Sequence, residues 1–317
     1  MSMAGAFVPV LALWLALAVD WRLGEPPARW HPVVWMGHYL GWIGRRIAPL
    51  AAAGSLQQLK PFVAGALAWC AGAAMVLIAA LAVGALVRWL PWWAGGVLLG
   101  VALKPLLAWR MLRDEVLAVE AALGVSLDAG SAQLARLVSR DVSDLTAAAV
   151  RESAIESLAE NLNDSVVAPV FWFVLLGLPG AAVYRFANTA DAMWGYRGER
   201  GGRDWSWAGK FAARADDVLS WVPARITALL LGVAARHWPS GLWREAARTP
   251  SPNSGWPMAA MALLLGVRLG KPGVYVLNAA GRTPEAAELH RAARWGAVSV
   301  VWMATAASVT LWAAARA

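Results

Sequence analysis

FVAGALAWCAGAAMVLIAALAVGALV, residues 62–87, decides what kind of protein this is. The run carries no charge over 26 positions. As an α-helix it would extend about 39 Å at 1.5 Å per residue, against about 30 Å for the hydrocarbon core of a bilayer. A soluble fold has little use for a helix that is apolar all round, so the run reads as one tilted transmembrane span. Beyond it, Arg88, Trp89, Pro91, Trp92 and Trp93 make a tight interfacial turn, and residues 89–103 run apolar again as far as Lys104 and Pro105. Tryptophan at membrane edges belongs to the interfacial belt, so these rings are assigned no cofactor role.

The other spans follow by the same test. Residues 3–19 form an apolar run of about minimum spanning length. Ala16-Leu17-Ala18 imitates a signal-peptide cleavage site, but a basic leader is missing and Arg22 and Arg29 lie after the run, so it reads as a retained anchor. Residues 33–47 read as an amphipathic interfacial helix ending on Arg45 and Arg46, and residues 295–315 as a last span. Of the 317 residues, 59% are hydrophobic and 15% charged, with a mean hydropathy of +0.51. Composition this apolar marks a polytopic membrane protein. The net charge of +8 suits anchoring of cytoplasmic loops, and no nucleic-acid partner is expected. Cys70 is the single cysteine, which leaves no disulfide framework.

Against this background one polar stretch stands out, residues 139–227. It places Arg140, Asp141, Asp144, Arg151, Glu152, Glu156, Glu160, Asn161, Asn163 and Asp164 before an apolar run, and Arg185, Asn188, Asp191, Tyr196, Arg197, Glu199, Arg200, Arg214, Asp216, Asp217 and Arg225 after it. Read as helix, residues 145–162 carry Val150, Ala154, Leu158 and Leu162 on one face and Glu152, Glu156 and Glu160 on another. Stacked carboxylates repel by about 0.2–0.5 kcal/mol per exposed pair. A cation should therefore cover them, either arginines from the segment after residue 185 or a hard ion such as Mg²⁺. A solvated helix face is the competing reading.

The apolar residues 166–183 are interrupted by Pro169, Gly177 and Pro179-Gly180, which predicts a bent or re-entrant pair of half-helices. Residues 124–131 read as a turn and residues 132–138 as a short helix. Arg214, Asp217, Trp221 and Arg225 fall at i, i+3, i+7 and i+11, one side of a single helix that also contains Pro223. Residues 218–235 are the second broken apolar segment, and an arginine within one marks a partner or a site. Ser251, Asn253 and Ser254 offer hydrogen bonds from a turn before a short apolar helix, a geometry open to an anion or to plain capping.

Lys and Arg number five in residues 20–60, six in 104–165, six in 185–217 and eight in 236–294. If the two broken segments do not span, all four blocks can lie inside, as the positive-inside tendency favours. The expectation is one membrane-embedded, all-α domain over residues 1–317 with about four full spans (3–19, 62–87, 89–103 and 295–315), five or six being the alternative. Residues 104–294 then form a cytoplasm-facing polar helical site region. No P-loop, dinucleotide, paired-cysteine or zinc-protease motif is present, and the four histidines lie outside the polar stretch. Acid, amide and guanidinium chemistry remains: carboxylates for Mg²⁺, arginines for phosphate or carboxylate.

These residues resemble a known family. Ser139-Arg140-Asp141, Glu152-Ser153, the run from Glu156 to Asn161 with Asp164, Tyr184-Arg185, Asn188-Thr189 with Asp191, and Gly195-Tyr196-Arg197 with Glu199-Arg200 are similar to the CobD/CbiB family of cobalamin-biosynthesis proteins. Ala213-Arg214, Asp216-Asp217-Val218, Trp221 to Thr227 and the Ser251 to Pro257 turn continue the likeness, with Asp20 to Gly24 and His31-Pro32 near the start. Ser220 and Ser254 stand where the family often has Asn and Ala.

The resemblance implies adenosylcobinamide-phosphate synthase activity: ATP-dependent ligation of adenosylcobyric acid, a corrinoid, with aminopropanol or its phosphate. It implies a multi-pass protein of the cell inner membrane and admits a complex with other corrinoid-pathway membrane enzymes. On this reading Glu152, Glu156, Glu160, Asn161, Asp164, Asp191 and Asp217 are catalytic, with Glu156, Glu160 and Asp164 as Mg²⁺ ligands. Arg140, Asp141, Arg185, Asn188, Tyr196, Arg197, Glu199, Arg200, Arg214, Arg225, Ser251 and Asn253 bind ATP and substrate. The acidic and arginine-rich segments are expected to close on each other at the inner membrane surface. A transporter of a corrinoid or anionic substrate, and a non-catalytic scaffold, are the alternatives.

Overall fold

The computed structural model describes residues 3–51, 58–138, 141–314 and 316, with side chains from residue 7 onward. Thirteen helices follow among them in chain order: α1 (Met3–Leu23), α2 (Pro32–Ile47), α3 (Leu59–Val87), α4 (Trp92–Leu103), α5 (Trp109–Leu123), α6 (Leu127–Leu134), α7 (Ala147–Leu162), α8 (Ala168–Trp194), α9 (Lys210–Leu219), α10 (Trp221–Ala235), α11 (Leu242–Ala246), α12 (Gly255–Leu265) and α13 (Ala286–Ala314). Two small antiparallel hairpins are the only sheets among the described residues, β1 (Glu199–Arg200) with β2 (Arg203–Asp204) and β3 (Leu269–Lys271) with β4 (Tyr275–Leu277). The protein is all-α.

Four described stretches are helical, long and apolar enough to cross a membrane: Leu59–Val87, Trp92–Leu123, Ala147–Trp194 and Ala286–Ala314. Helices α9 and α10 together count as a fifth, broken one, and α1 is a further apolar helix of 21 residues. The run expected to end at residue 103 continues through a 3₁₀ turn at Lys104–Leu106 into α5. The chain divides into two compact units, residues Met1–Leu107, Ala168–Leu219 and Ala307–Ala317 in one, Ala108–Val167 and Ser220–Ala306 in the other.

In the first unit α1 packs on α4 and α3 on α8. Phe186 of α8 meets Tyr39 of α2 and Trp69 of α3, ring centroids 6.3 and 5.9 Å away. Helix α8 is broken where its sequence says it should be. Gly177 has φ 66° and ψ −157°, a backbone region essentially closed to residues with a Cβ. Pro179, two residues on, removes a backbone donor as well. After α8 the chain is pinned by Gly209, where a side chain would collide with the carbonyl of Trp194, and by Trp194 stacked on Trp205 at 6.2 Å.

In the second unit the predicted apolar face of α7 is fully buried at Val150, Ala154, Leu158 and Leu162. Thr146 caps the helix, its Oγ1 accepting the Ala149 N–H at 3.3 Å. Helix α7 ends in a π-helical turn, Asn163–Val167. Two expectations are corrected. The helix near residue 130 is α6 (Leu127–Leu134), starting five residues earlier than a 132–138 helix would, because Ser126 Oγ accepts the Ala129 N–H at 3.1 Å and caps it. Secondly, residues 214–225 do not form one helix face. The chain breaks at Ser220 between α9 and α10. Pro223 explains the break, since its ring clashes with the carbonyl four residues back. That carbonyl, of Leu219, accepts the Trp172 indole N–H at 3.0 Å instead.

Candidate functional site

The acidic segment falls in the second unit and the arginine-rich segment in the first, and each is described by itself. On α7, Glu152 and Glu156 are 3% and 5% exposed. A solvated face is therefore excluded for both. Arg268, just before β3, supplies Glu152 with its cation, Nη2 donating to Oε1 at 3.0 Å. No local pattern in the sequence singles Arg268 out; it lies 116 residues away. Arg151 turns off the acidic face and forks onto Glu120 of α5 with two contacts of 2.7 Å.

Glu160 and Asn161 are half-buried at the end of α7, and the Asn161 amide donates to the Ser157 carbonyl at 2.9 Å. In the π turn that follows, Asn163 donates to Asp164 Oδ1 at 2.8 Å, and its own Oδ1 lies 3.0 Å from the Thr227 hydroxyl of α10. A π turn widens the helix by one residue and is often found at functional sites. Here it holds the buried Asn163 against the part-exposed Asp164. Neither the turn nor Thr227 was legible as a partner in the sequence.

Arg225 of α10 is the other focus of this unit. Its guanidinium lies over Trp221 and Trp256, 4.0 and 4.6 Å from the ring centroids. It donates to the Trp221 carbonyl at 2.6 Å, to Asn253 Oδ1 at 3.3 Å and to the Pro252 carbonyl at 3.3 Å. Ser251 acts as a turn former, its Oγ accepting the N–H groups of Asn253 and Ser254 at 3.2 and 3.3 Å. Arg225, Ser251 and Asn253, far apart in sequence, are thus brought together. Asp141 is exposed and accepts the backbone and hydroxyl of Ser143, which hold its carboxyl below the usual range. Arg140 lies outside the described residues.

In the first unit, α8 and α9 carry a polar string. Arg185 reaches Asn188 Oδ1 at 3.5 Å, and Asn188 reaches Asp216 Oδ1 at 3.4 Å. Asp191 is part exposed at the end of α8. Arg214 is 74% exposed and 3.6 Å from Asp217. Arg197, Glu199 and Arg200 are exposed on and beside the β1–β2 hairpin, and Arg200 stacks over the Tyr196 ring at 3.9 Å. Gly201 and Gly202, both at positive φ, make the tight turn of that hairpin.

A second charged cluster in this unit was not expected. Lys104, 3% exposed, lies 3.1 Å from Asp20 and 3.0 Å from Glu25 Oε2, which also meets His31 Nε2 at 2.9 Å. Burial opposes the Glu25 charge, but His31 and Lys104 outweigh it and hold its carboxyl below the ordinary value. No local pattern matches Lys104 to a pair of acids some 80 positions earlier.

Among the described residues no three His, Cys, Asp or Glu side chains converge as a cage for a metal ion. Mg²⁺ does not require one, since it commonly binds through one or two carboxylates, waters and substrate phosphates. Glu156, Glu160 and Asp164 are the right donor chemistry for that mode.

Comparison with known proteins gives a consistent result. A family model described as CobD/Cbib protein matches residues 13–314. The probable cobalamin biosynthesis protein CobD of Thermococcus kodakarensis is 40% identical over 309 residues, 95% of this chain and 97% of that one. The cobalamin biosynthesis protein CobD of Chromobacterium violaceum is 44% identical over 273 residues, covering 82% and 81%. That of Methanothermobacter thermautotrophicus, named as probable, is 40% identical over 276 residues, covering 85% and 86%. No solved structure matches.

Proposed function

Because the chain belongs to the CobD/Cbib family of cobalamin-biosynthesis proteins, we propose that it is an ATP-dependent amide ligase of that pathway. It joins the free propionate of adenosylcobyric acid to the amine of (R)-1-amino-2-propanol phosphate, or of aminopropanol, giving adenosylcobinamide phosphate or its dephosphorylated counterpart. It works in the cell inner membrane with its chemistry facing the cytoplasm, where ATP is available.

The observation that carries this reading is the burial of Glu152 and Glu156 one turn apart on α7. Packing alone would not select carboxylates at buried positions of a helix, because burying a charge costs free energy even where a partner such as Arg268 offsets part of it. In the proposed reaction a propionate oxygen attacks the γ-phosphorus of ATP, ADP leaves, and an acyl phosphate forms. The amine nitrogen then attacks the acyl carbon, and the carbon–oxygen bond to phosphate breaks. The substrate ammonium loses two protons in all, and the part-exposed Glu160 is assigned as the general base that takes them up in turn and passes them to solvent. Glu156 or Asp164 would hold Mg²⁺ through one or two carboxylates, and the ion would neutralise phosphate charge when bound. Arg225 and Asn253 orient an anionic group in the second unit. Arg185, Arg197, Arg200 and Arg214 offer guanidinium groups to phosphate or carboxylate in the first, with Asn188, Asp191, Tyr196, Glu199 and Asp217 around them.

Purified full-length protein with adenosylcobyric acid, aminopropanol phosphate, ATP and Mg²⁺ should form the amide, read by mass spectrometry, and omission of any one component should abolish it. A transporter or scaffold would form none. Glu160→Gln should lower the rate at least about 100-fold, as loss of a catalytic acid or base does, with an unchanged melting temperature. Wild-type protein that makes no amide under these conditions would overturn the proposal.

A further inference from the structure

The first unit contains a cavity of about 970 Å³ that the proposed reaction does not use. Its walls come from α1 to α4, the loop after α1, the 3₁₀ turn after α4 and α8, and they are apolar apart from the charged pair Glu25 and Lys104 and from Tyr39, whose hydroxyl donates to the Ala68 carbonyl at 2.7 Å. Along α3 the lining runs from Gly72 to Val83, about 16 Å of helix. The space therefore has the proportions of a hydrocarbon chain lying beside a transmembrane helix, with charge confined to one paired cluster. Trp30 and Trp35 also line it and are exposed, as interfacial tryptophans are.

The charged end has an acceptor left over. The His31 Nδ1 accepts the Val33 N–H at 3.2 Å, so its proton sits on Nε2 and is donated to Glu25 Oε2. Lys104 lies between Asp20 and Glu25, 3.1 and 3.0 Å from them. The second Glu25 oxygen, Oε1, is buried without a hydrogen-bond partner. A buried acceptor in that state destabilises the site until a donor reaches it.

We propose that this cavity holds one membrane lipid whose head is a primary ammonium, the ammonium donating to Glu25 and a chain lying along α3. An aminophospholipid such as phosphatidylethanolamine has this chemistry. Phosphatidylcholine carries the same charge but no N–H to donate, and phosphatidylglycerol carries no cation. The proposal is independent of the ligation reaction.

The test is native mass spectrometry of the full chain released from nanodiscs of equimolar phosphatidylethanolamine, phosphatidylcholine and phosphatidylglycerol. One retained phosphatidylethanolamine is expected, favoured about tenfold over the other two, the worth of one charge-assisted hydrogen bond. Glu25→Gln should remove the headgroup preference. Val76→Trp, which fills the chain region without touching the charged cluster, should remove retention altogether. Equal retention of the three lipids by the wild type, or undiminished retention in a folded Val76→Trp protein, would overturn the assignment.

Discussion

Arg225 shows what a single residue contributes here. Two indole faces and three oxygens hold its guanidinium, and only a planar fork satisfies them together. Arg225→Lys keeps the charge and loses the fork. It should lower kcat/KM for the amide at least about tenfold, since a hydrogen bond to a charged group is worth about 1.5–3 kcal/mol, with the melting temperature nearly unchanged. Glu152 and Arg268 make a different case, because the acid is buried and the arginine is 49% exposed. Arg268→Gln strands the acid, whereas Glu152→Gln with Arg268→Gln strands nothing. A double-mutant cycle in thermal unfolding should give a coupling of about 1 kcal/mol, solvent on the arginine side keeping it small. Zero coupling would mean that Glu152 is balanced elsewhere. Both cases also mark what sequence reading reaches. The residue types that carry charge in an apolar chain were visible, Arg225 and Glu152 among them. Their partners were not, because Asn253, Arg268 and Lys104 become neighbours only through tertiary packing.

The elements divide along the same line. Breaks caused by backbone chemistry were legible: Gly177 and Pro179 in α8 announce themselves whatever surrounds them. The break at Ser220 follows from Pro223 by the same rule, although helical spacing on either side masked it. The π turn after α7 has no such signature, since Asn163–Val167 contains neither glycine nor proline; it arises where Thr227 meets Asn163. Gly177 supports a prediction at this scale. Gly177→Ala forces a Cβ into φ 66°, ψ −157°, which costs on the order of 1–3 kcal/mol. Its melting temperature in detergent should fall by several degrees, while Pro179→Ala, which leaves the glycine turn intact, should change it less. If Gly177→Ala were as stable as the wild type, the break would belong to Pro179.

For the molecule as a whole the question is which side of the membrane the polar segments face. The β1–β2 hairpin is the clearest reporter, because Arg197, Glu199 and Arg200 are exposed and six Lys or Arg side chains fall in residues 185–217. Translocating such a block is disfavoured by the tendency that keeps basic loops inside. A ligase drawing on ATP needs its phosphate-binding arginines on that side too. Cys70 is exposed on the apolar α3, so Cys70→Ser gives a background without native thiols. Arg200→Cys in that background should react with a membrane-impermeant maleimide in inverted vesicles and stay unlabelled in intact cells. Labelling from outside would put the hairpin beyond reach of cytoplasmic nucleotide. Residues 185–217 would then have no part in binding ATP, even if the protein still formed the amide.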